Sequence, residues 1–553
     1  MARLTQLTIE NFRSIGETPI TINFPDKQPL ILIGENNAGK SNIIRALELM
    51  FTEFHPKYKK LDDYDHFQRN PNNEINIEAI VNGLQGKVKD YGTPYGVSGF
   101  RFRAKKGKEN DFVAVQSSNG KENGYVSNAL REELLCVVVS SEQNLGYQLS
   151  YASKFTLLSK VTKSFHDKLN ENPERVGRLK HLFENIKTTF LEVEEFGAFN
   201  TNMSSIAGQM LSNMTHALAF DFTAYDPSNY FKTLKVHPTE GGETRAYEEL
   251  GTGQQQILAL SFAHAYAKSF LGQGLIFVID EPEAHLHPLA QKWLAKKMFQ
   301  MAQDGLQIVL TTHSPFFINL DFLDSINLVK KDVQTESFNV TSHLLAQHCN
   351  LSGATNATED TIIPFYSAHS TPNILNGFFA NKIVLVEGPT EEFTLPIYLE
   401  AVGFDSLELG IAIISVNGKG NLAKWKRFYS AYEIPTFVCF DNDGKSKKDK
   451  NGNKRTDALK SIGLQDGLID DVLTAEDWSI NDNYCVFGVD FEETMKASFE
   501  KYLQIETEEK ERLGKSKSIV ARAVANRLVK TNRKSNDTGW KWFEELAKKI
   551  DEL

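Results

Sequence analysis

The segment Gly34-Glu35-Asn36-Asn37-Ala38-Gly39-Lys40-Ser41 matches G-x-x-x-x-G-K-[ST], and it restricts what this chain can fold into more than any other feature. The apolar run Leu30-Ile31-Leu32-Ile33 precedes it, and Asn42 to Leu49 follows with helical spacing. A strand, a glycine loop and a helix in that order make a cradle for a polyphosphate. Gly34 and Gly39 let the backbone curl around the phosphates, with Asn36 and Asn37 between them in the loop. The helix N-terminus points its free N–H groups at the anion. Lys40 is placed to reach the β- and γ-phosphates, and the Ser41 hydroxyl to ligate Mg²⁺. The surrounding fold is therefore α/β.

A chain of 553 residues has room for roughly two to four domains of about 150 residues each. No charged-then-apolar leader opens it and no apolar run reaches membrane-spanning length, which predicts a cytoplasmic protein without a membrane partner. The cysteines Cys136, Cys349, Cys439 and Cys485 are not spaced as a zinc knuckle, and three lie in apolar strand-like runs, as buried reduced thiols do. A net charge of −10 excludes a protein coated in basic residues but leaves room for a local basic groove. Lys105-Lys106-Gly107-Lys108 reads as a solvated hairpin tip.

Three further segments belong with the phosphate loop. Glu249-Leu250-Gly251-Thr252-Gly253-Gln254 leads into an apolar helix. Leu275-Ile276-Phe277-Val278-Ile279 ends in Asp280-Glu281, an apolar strand delivering two carboxylates. Asp280 suits the Mg²⁺ shell, and Glu281 suits the orientation or deprotonation of an attacking water. Gln307 to Thr312 forms another strand ending at His313, where a γ-phosphate sensor belongs. Between these segments, residues 150–220 change to mixed charge and helical periodicity, in Phe155 to Val161 and Val176 to Phe190, and read as a helical insertion.

Beyond a polar connector at about 351–375, a second α/β unit begins. Lys382 to Val386 is a strand ending in Glu387; Gly388 and Pro389 turn the chain, and Glu391 falls in the first turn of the next helix. Pro435 to Phe440 ends in Asp441-Asn442-Asp443, and Tyr484 to Val489 ends in Asp490-Phe491-Glu492. Strands alternate with helices, so a parallel sheet is expected, with acidic residues repeating at its carboxyl ends where such sheets place their sites. Hard oxygen donors at one edge suit Mg²⁺ or Mn²⁺. The competing reading is a set of carboxylates that stabilise helix N-termini.

The four N-terminal motifs resemble ABC-type ATPases of the SMC, RecF and Rad50 kind, over roughly residues 1–330. In that family two heads sandwich ATP, so Gly253 and Gln254 are implied to face the γ-phosphate of a second copy. The chain departs from the family's Leu-Ser-Gly-Gly-Gln at Gly251 and Thr252, which implies a weaker trans contact and slow hydrolysis. The second unit resembles the Toprim domain: a Glu-Gly strand end, then Asp-x-Asp. An ABC-type ATPase followed by Toprim resembles the OLD (overcoming lysogenisation defect) family, which includes the Gabija defence nuclease and retron-associated effectors. That resemblance implies an ATPase domain over 1–350 and a Toprim nuclease domain with C-terminal helices over 376–553. It implies a role near the scissile phosphate for a late lysine, Lys517 or Lys515. It also implies ATP, and two metal ions held by Glu387, Glu391, Asp441, Asp443, Asp490 and Glu492, one activating water and one steadying the leaving oxygen.

The activity expected from the whole is ATP-regulated, metal-dependent cleavage of DNA in antiphage defence. The partners expected are a second copy or a larger homo-oligomer, and a defence-system protein or a retron RNA/DNA. The alternative is an ATP-gated DNA clamp or repair scaffold whose Toprim unit binds metal without cutting.

Overall fold

A computed structural model describes residues 2–88 apart from 53, 95–140 apart from 125, 158, 169–210, 239–240, 243–244, 249–269, 274–332 apart from 285, 337–342, 358–443, and 453–553 apart from 476, 515 and 534. Among the described residues the N-terminal part holds two large sheets and a two-stranded antiparallel hairpin, β10 (Thr239–Glu240) with β11 (Glu243–Thr244). The first is antiparallel, with β1 (Arg3–Glu10), β2 (Ile20–Asn23), β4 (Ile75–Asn82), β5 (Lys87–Val88), β6 (Tyr95–Ala104), β7 (Asp111–Gln116) and β8 (Glu122–Asn123). Its order is β2-β1-β4-β6-β7-β8, with β5 on β6. In β4, Ile75, Ile77, Ala79 and Val81 point inward while Asn76, Glu78 and Asn82 do not, the period-two signature of a sheet with one covered face. Lys105 to Lys108 form the turn between β6 and β7.

The second sheet has the order β15-β14-β3-β13-β12-β9, from β3 (Leu30–Ile33), β9 (Leu134–Ser140), β12 (Gly274–Asp280), β13 (Gln307–Thr312), β14 (Ile326–Lys331) and β15 (Phe338–Ser342). All neighbours are parallel except β14 and β15. The strand β3 is buried at every position and β12 from Gly274 to Ile279, which explains why they read as unbroken apolar runs rather than alternating ones. The helix Lys40–Phe51 shares one core with both sheets: Ile43, Leu47 and Met50 cluster with Ile22, Ile77 and Phe100 and with Leu32, Val278 and Val309. The parallel pairing β3-β13-β12 brings the phosphate loop, His313 and the Asp280-Glu281 pair to one edge.

The C-terminal sheet has the order β17-β16-β18-β20-β19: β16 (Lys382–Val386), β17 (Ile411–Ser415), β18 (Thr436–Asp441), β19 (Ser479–Asn481) and β20 (Tyr484–Phe487). It is parallel except for β19. One face packs under the helices Pro389–Ala401, Phe491–Ser498, Lys517–Asn532 and Thr538–Glu552, through Tyr398, Phe491, Val524 and Phe543. The other face, with Ile383, Leu385, Trp425 and Phe428, is continuous with the core of the ATPase sheet through Ile31, Phe277 and Leu310.

Two segments differ from or extend the sequence reading. The stretch read as a polar connector at 351–375 contains, in its described part from 358 on, the helices Glu359–His369 and Pro372–Leu375. Ile362 and Tyr366, one helical turn apart, pack inward, and the Tyr366 ring sits 4.8 Å from Phe428 and 5.0 Å from Trp425. The apolar run Ile362-Ile363-Pro364-Phe365-Tyr366 carries a proline inside the helix, the residue that in sequence argues against one. In the insertion, Val176–Phe190 lies within the helix Pro173–Leu191, followed by Glu194–Met210; apart from Leu158, the run Phe155–Val161 lies outside the described residues.

Candidate active sites

The phosphate loop has the backbone its glycines predict. Gly34 takes φ 151°, Asn37 62° and Gly39 97°. A Cβ on Gly34 would lie 2.2 Å from the Val329 carbonyl oxygen, and one on Gly39 would lie 2.6 Å from the Phe338 ring, so neither position admits a side chain. Lys40 and Ser41 open the helix. The Lys40 Nζ donates to the carbonyls of Gly34 at 2.9 Å and Glu35 at 2.8 Å, and to Nε2 of His313 at 3.0 Å. Asn36, Asn37 and Ser41 are exposed at the mouth.

The Asp-Glu strand end faces this lysine. Asp280 Oδ1 accepts from the Thr311 hydroxyl at 2.5 Å, which fixes it against the neighbouring strand. Glu281 takes a left-handed φ of 51°, and its Oε1 stands 3.6 Å from His313 Nε2. Burial, then the Lys40 charge, lowers the pKa of His313, so its Nε2 is a neutral acceptor at pH 7. Burial likewise lowers that of Lys40, against the opposing pull of Glu281, Asp280, Glu283 and Glu35. Glu283 is a member of the site that motif reading missed. Its Oε1 accepts from the His313 backbone N–H at 2.5 Å, its Oε2 is buried without a hydrogen bond, and burial raises its pKa. Gly253 and Gln254 start the helix Thr252–Ser269, and Gln254 Oε1 accepts from Gly251 N–H at 3.2 Å.

At the Toprim-like edge, β16 delivers Glu387, and Glu391 Oε2 accepts from Gly388 N–H at 3.1 Å, a cap that turns its carboxyl toward the strand end. Asp441 Oδ1 accepts from Phe491 N–H at 2.8 Å, locking β18 to the helix that carries Glu492. Lys517 starts the helix Lys517–Asn532 and its Nζ meets Glu492 Oε2 at 2.8 Å. Lys515 lies outside the described residues. Burial, then the charges of Glu387 and Glu492, raises Glu391 to about 7. Burial, then Glu391 and Glu387, raises Asp441 well above the carboxylate range, with Lys419 and Lys517 opposing. Glu387 Oε2 and Glu492 Oε1 are buried and accept no hydrogen bond. Asp490, Glu492 and Lys517 line a cavity of about 320 Å³.

The six acidic residues thus collect at one edge but are not a preformed cage: among the described residues no three His, Cys, Asp or Glu side chains converge as a ligand set. Asp490 spends an oxygen capping Glu493 N–H at 2.8 Å, as the helix-terminus reading predicts for a carboxylate there. Asp443 is paired with Lys419, at 2.5 Å. Lys419 was not anticipated as a site residue; its position just past β17, at the same edge as Glu387, was the available signal.

Residues 30–319, more than half of the chain, match the family described as "AAA domain, putative AbiEii toxin, Type IV TA system". Residues 378–443 match "Overcoming lysogenization defect protein-like, TOPRIM domain". The chain is 24% identical over 471 residues to an OLD nuclease of Thermus scotoductus, covering 80% of this chain and 82% of that one. It is 24% identical over 483 residues to the Old nuclease of Escherichia phage P2, covering 80% and 77%. It is 22% identical over 475 residues to Endonuclease GajA of Bacillus cereus, covering 81% and 76%. The phosphate loop and its Asp-Glu strand fall in the first matched region and Glu387, Asp441 and Asp443 in the second, and the chain belongs to that AAA-domain family and is an ATPase–nuclease of the OLD type.

Proposed function

We propose that this ATPase–nuclease is an ATP-gated, divalent-metal-dependent DNA endonuclease of the cytoplasm that acts in antiphage defence. The observation that carries the reading is the Toprim edge: Glu391 and Asp441 buried beside Glu387 and Glu492, two of whose oxygens are buried without hydrogen bonds. Carboxylates crowded in that way are stable as anions only with a compensating cation, and oxygen-only donors favour Mg²⁺ or Mn²⁺. Glu387, Glu391, Asp441, Asp443, Asp490 and Glu492 would hold it; when bound, such ions lower the pKa of a water and offset charge on the leaving oxygen. Lys517, already beside Glu492, is the group that orients and neutralises the scissile phosphate.

In the ATPase, Lys40 would exchange its two carbonyl partners for phosphate oxygens, Ser41 and Asp280 would hold Mg²⁺, Glu281 would accept the proton of the attacking water, and His313 would read the γ-phosphate. Gly253 and Gln254 complete the site of a second copy, so the working unit is at least a homodimer. Phosphodiester hydrolysis needs no ATP energy, so the ATPase acts as a gate. The route that supports gating is short. His313 lies 6.4 Å from the Phe379 ring, Phe379 ends the turn Asn376–Phe379, and β16 begins at Lys382 and leads to Glu387. Proposed partners beyond DNA are a companion defence protein or a retron RNA/DNA. No described helix is long and apolar enough to cross a membrane.

The deciding experiment is a plasmid-nicking assay with Mg²⁺ or Mn²⁺, with and without ATP, at fixed free metal. Metal-dependent nicking lost in Asp441→Ala is expected; DNA binding without any cleavage would support the clamp instead.

A further inference from the structure

One cation at the Toprim edge has no place in the mechanism above. Lys419 is only 5% exposed, yet its Nζ ends 2.5 Å from Asp443 Oδ2 and 3.4 Å from Glu387 Oε2. Its backbone is tied to the residue its side chain faces. Gly418, at φ 126°, turns the chain from β17 into the helix Lys419–Ala431, and Gly418 N–H donates to the Glu387 carbonyl at 2.8 Å. The groups around this ammonium are Glu387, Asp443 and the buried Asp441, with Glu391 beyond; the second cation, Lys517, is committed to Glu492. The two lysines thus take different members of the acidic edge, Lys419 meeting Glu387 and Asp443 and Lys517 meeting Glu492.

A buried ammonium persists only with paired anions, and the anions persist only with it. A divalent ion and an ammonium cannot share the same two oxygens in a low-dielectric pocket, because their repulsion there is strong. The four-carbon stem of lysine can withdraw without moving the backbone. We propose that Lys419 is the resident counter-ion of the Toprim site: in the metal-free protein its ammonium sits between Glu387 and Asp443, and metal loading at that pair requires its withdrawal. Lys419 thereby keeps the empty site folded and weakens its grip on metal. The inference rests on the reading of this edge as a metal site.

The test uses the full chain, stripped with EDTA and free of nucleotide, with Mn²⁺ binding followed by electron paramagnetic resonance and melting recorded in EDTA and in Mn²⁺. Lys419→Met is expected to bind Mn²⁺ roughly tenfold or more tightly than wild type. It should also melt lower in EDTA and gain more on Mn²⁺ addition. Lys419→Arg keeps the charge and should bind no more tightly than wild type. Unchanged or weaker Mn²⁺ affinity in Lys419→Met that still binds ATP overturns the proposal, as does tenfold tighter binding by Lys419→Arg. Asp441→Ala separates the two readings: if it binds Mn²⁺ as wild type does, the metal site itself is misplaced, whereas lost binding there with no effect of Lys419→Met sinks the counter-ion alone.

Discussion

Replacing Glu391 by glutamine should stabilise the metal-free protein above about pH 4.5, and most at neutral and higher pH. Glu391 is 3% exposed, and burial followed by the charges of Glu387 and Glu492 raises its pKa from 4.5 to about 7. At 1.36 kcal/mol per pH unit, ionising it in the folded, metal-free protein costs about 3 kcal/mol more than in the unfolded chain. The folded state holds the proton more tightly, so this group's contribution is fully present below about pH 4.5 and is lost as pH rises through 7. Glutamine keeps an oxygen to accept the Gly388 N–H and removes the titration. In EDTA the two proteins should unfold at the same urea concentration near pH 4.5. By pH 8 the variant should be more stable by about 3 kcal/mol. Tryptophan fluorescence reads the right domain, because Trp425, Trp478 and Trp540 are buried in it. Mn²⁺ at pH 8 should erase the gap by stabilising the wild-type carboxylate. A gap of equal size at pH 4.5 and pH 8, or a variant less stable than wild type at pH 8, would refute the argument that crowding of anions governs this site.

Lys40→Ala should weaken ATP binding on the order of 100-fold while the fold holds, from loss of charge-assisted phosphate contacts; fluorescent-nucleotide titration checks it. Glu281→Gln should bind ATP normally but turn it over on the order of 100-fold more slowly, the effect of losing a general base, in a steady-state phosphate-release assay. Glu387→Ala should abolish DNA nicking and spare ATP turnover, since the two sites stand on separate sheets; retained nicking would place the metal elsewhere. Phe379→Ala should leave ATP turnover and metal-dependent nicking in place but make the nicking rate the same with ATP, with a non-hydrolysable analogue and with neither, at matched free Mn²⁺. A nicking rate that still follows the nucleotide would remove Phe379 from the gate.

What could be read from the chain alone was whatever is contiguous. The phosphate loop, the Asp280-Glu281 strand end and the acidic ends of β16, β18 and β20 are local patterns, in which the strand, the turn and the chemical group follow one another within about ten residues. Strand–helix alternation carried the parallel C-terminal sheet for the same reason. Tertiary structure decided which of those groups touch. Glu283 reaches the His313 N–H from the end of the neighbouring strand, 30 positions away, and the helix Glu359–His369 is held where the helix Lys419–Ala431 covers its Tyr366. Lys419 is the sharpest case. In sequence it is a lysine in a glycine-rich turn, the ordinary place for a solvated charge. Only the β17-β16-β18 order sets it between Glu387 and Asp443, because a side chain's partners depend on how the strands are ordered, and strand order is settled by non-local packing that no run of neighbouring residues encodes.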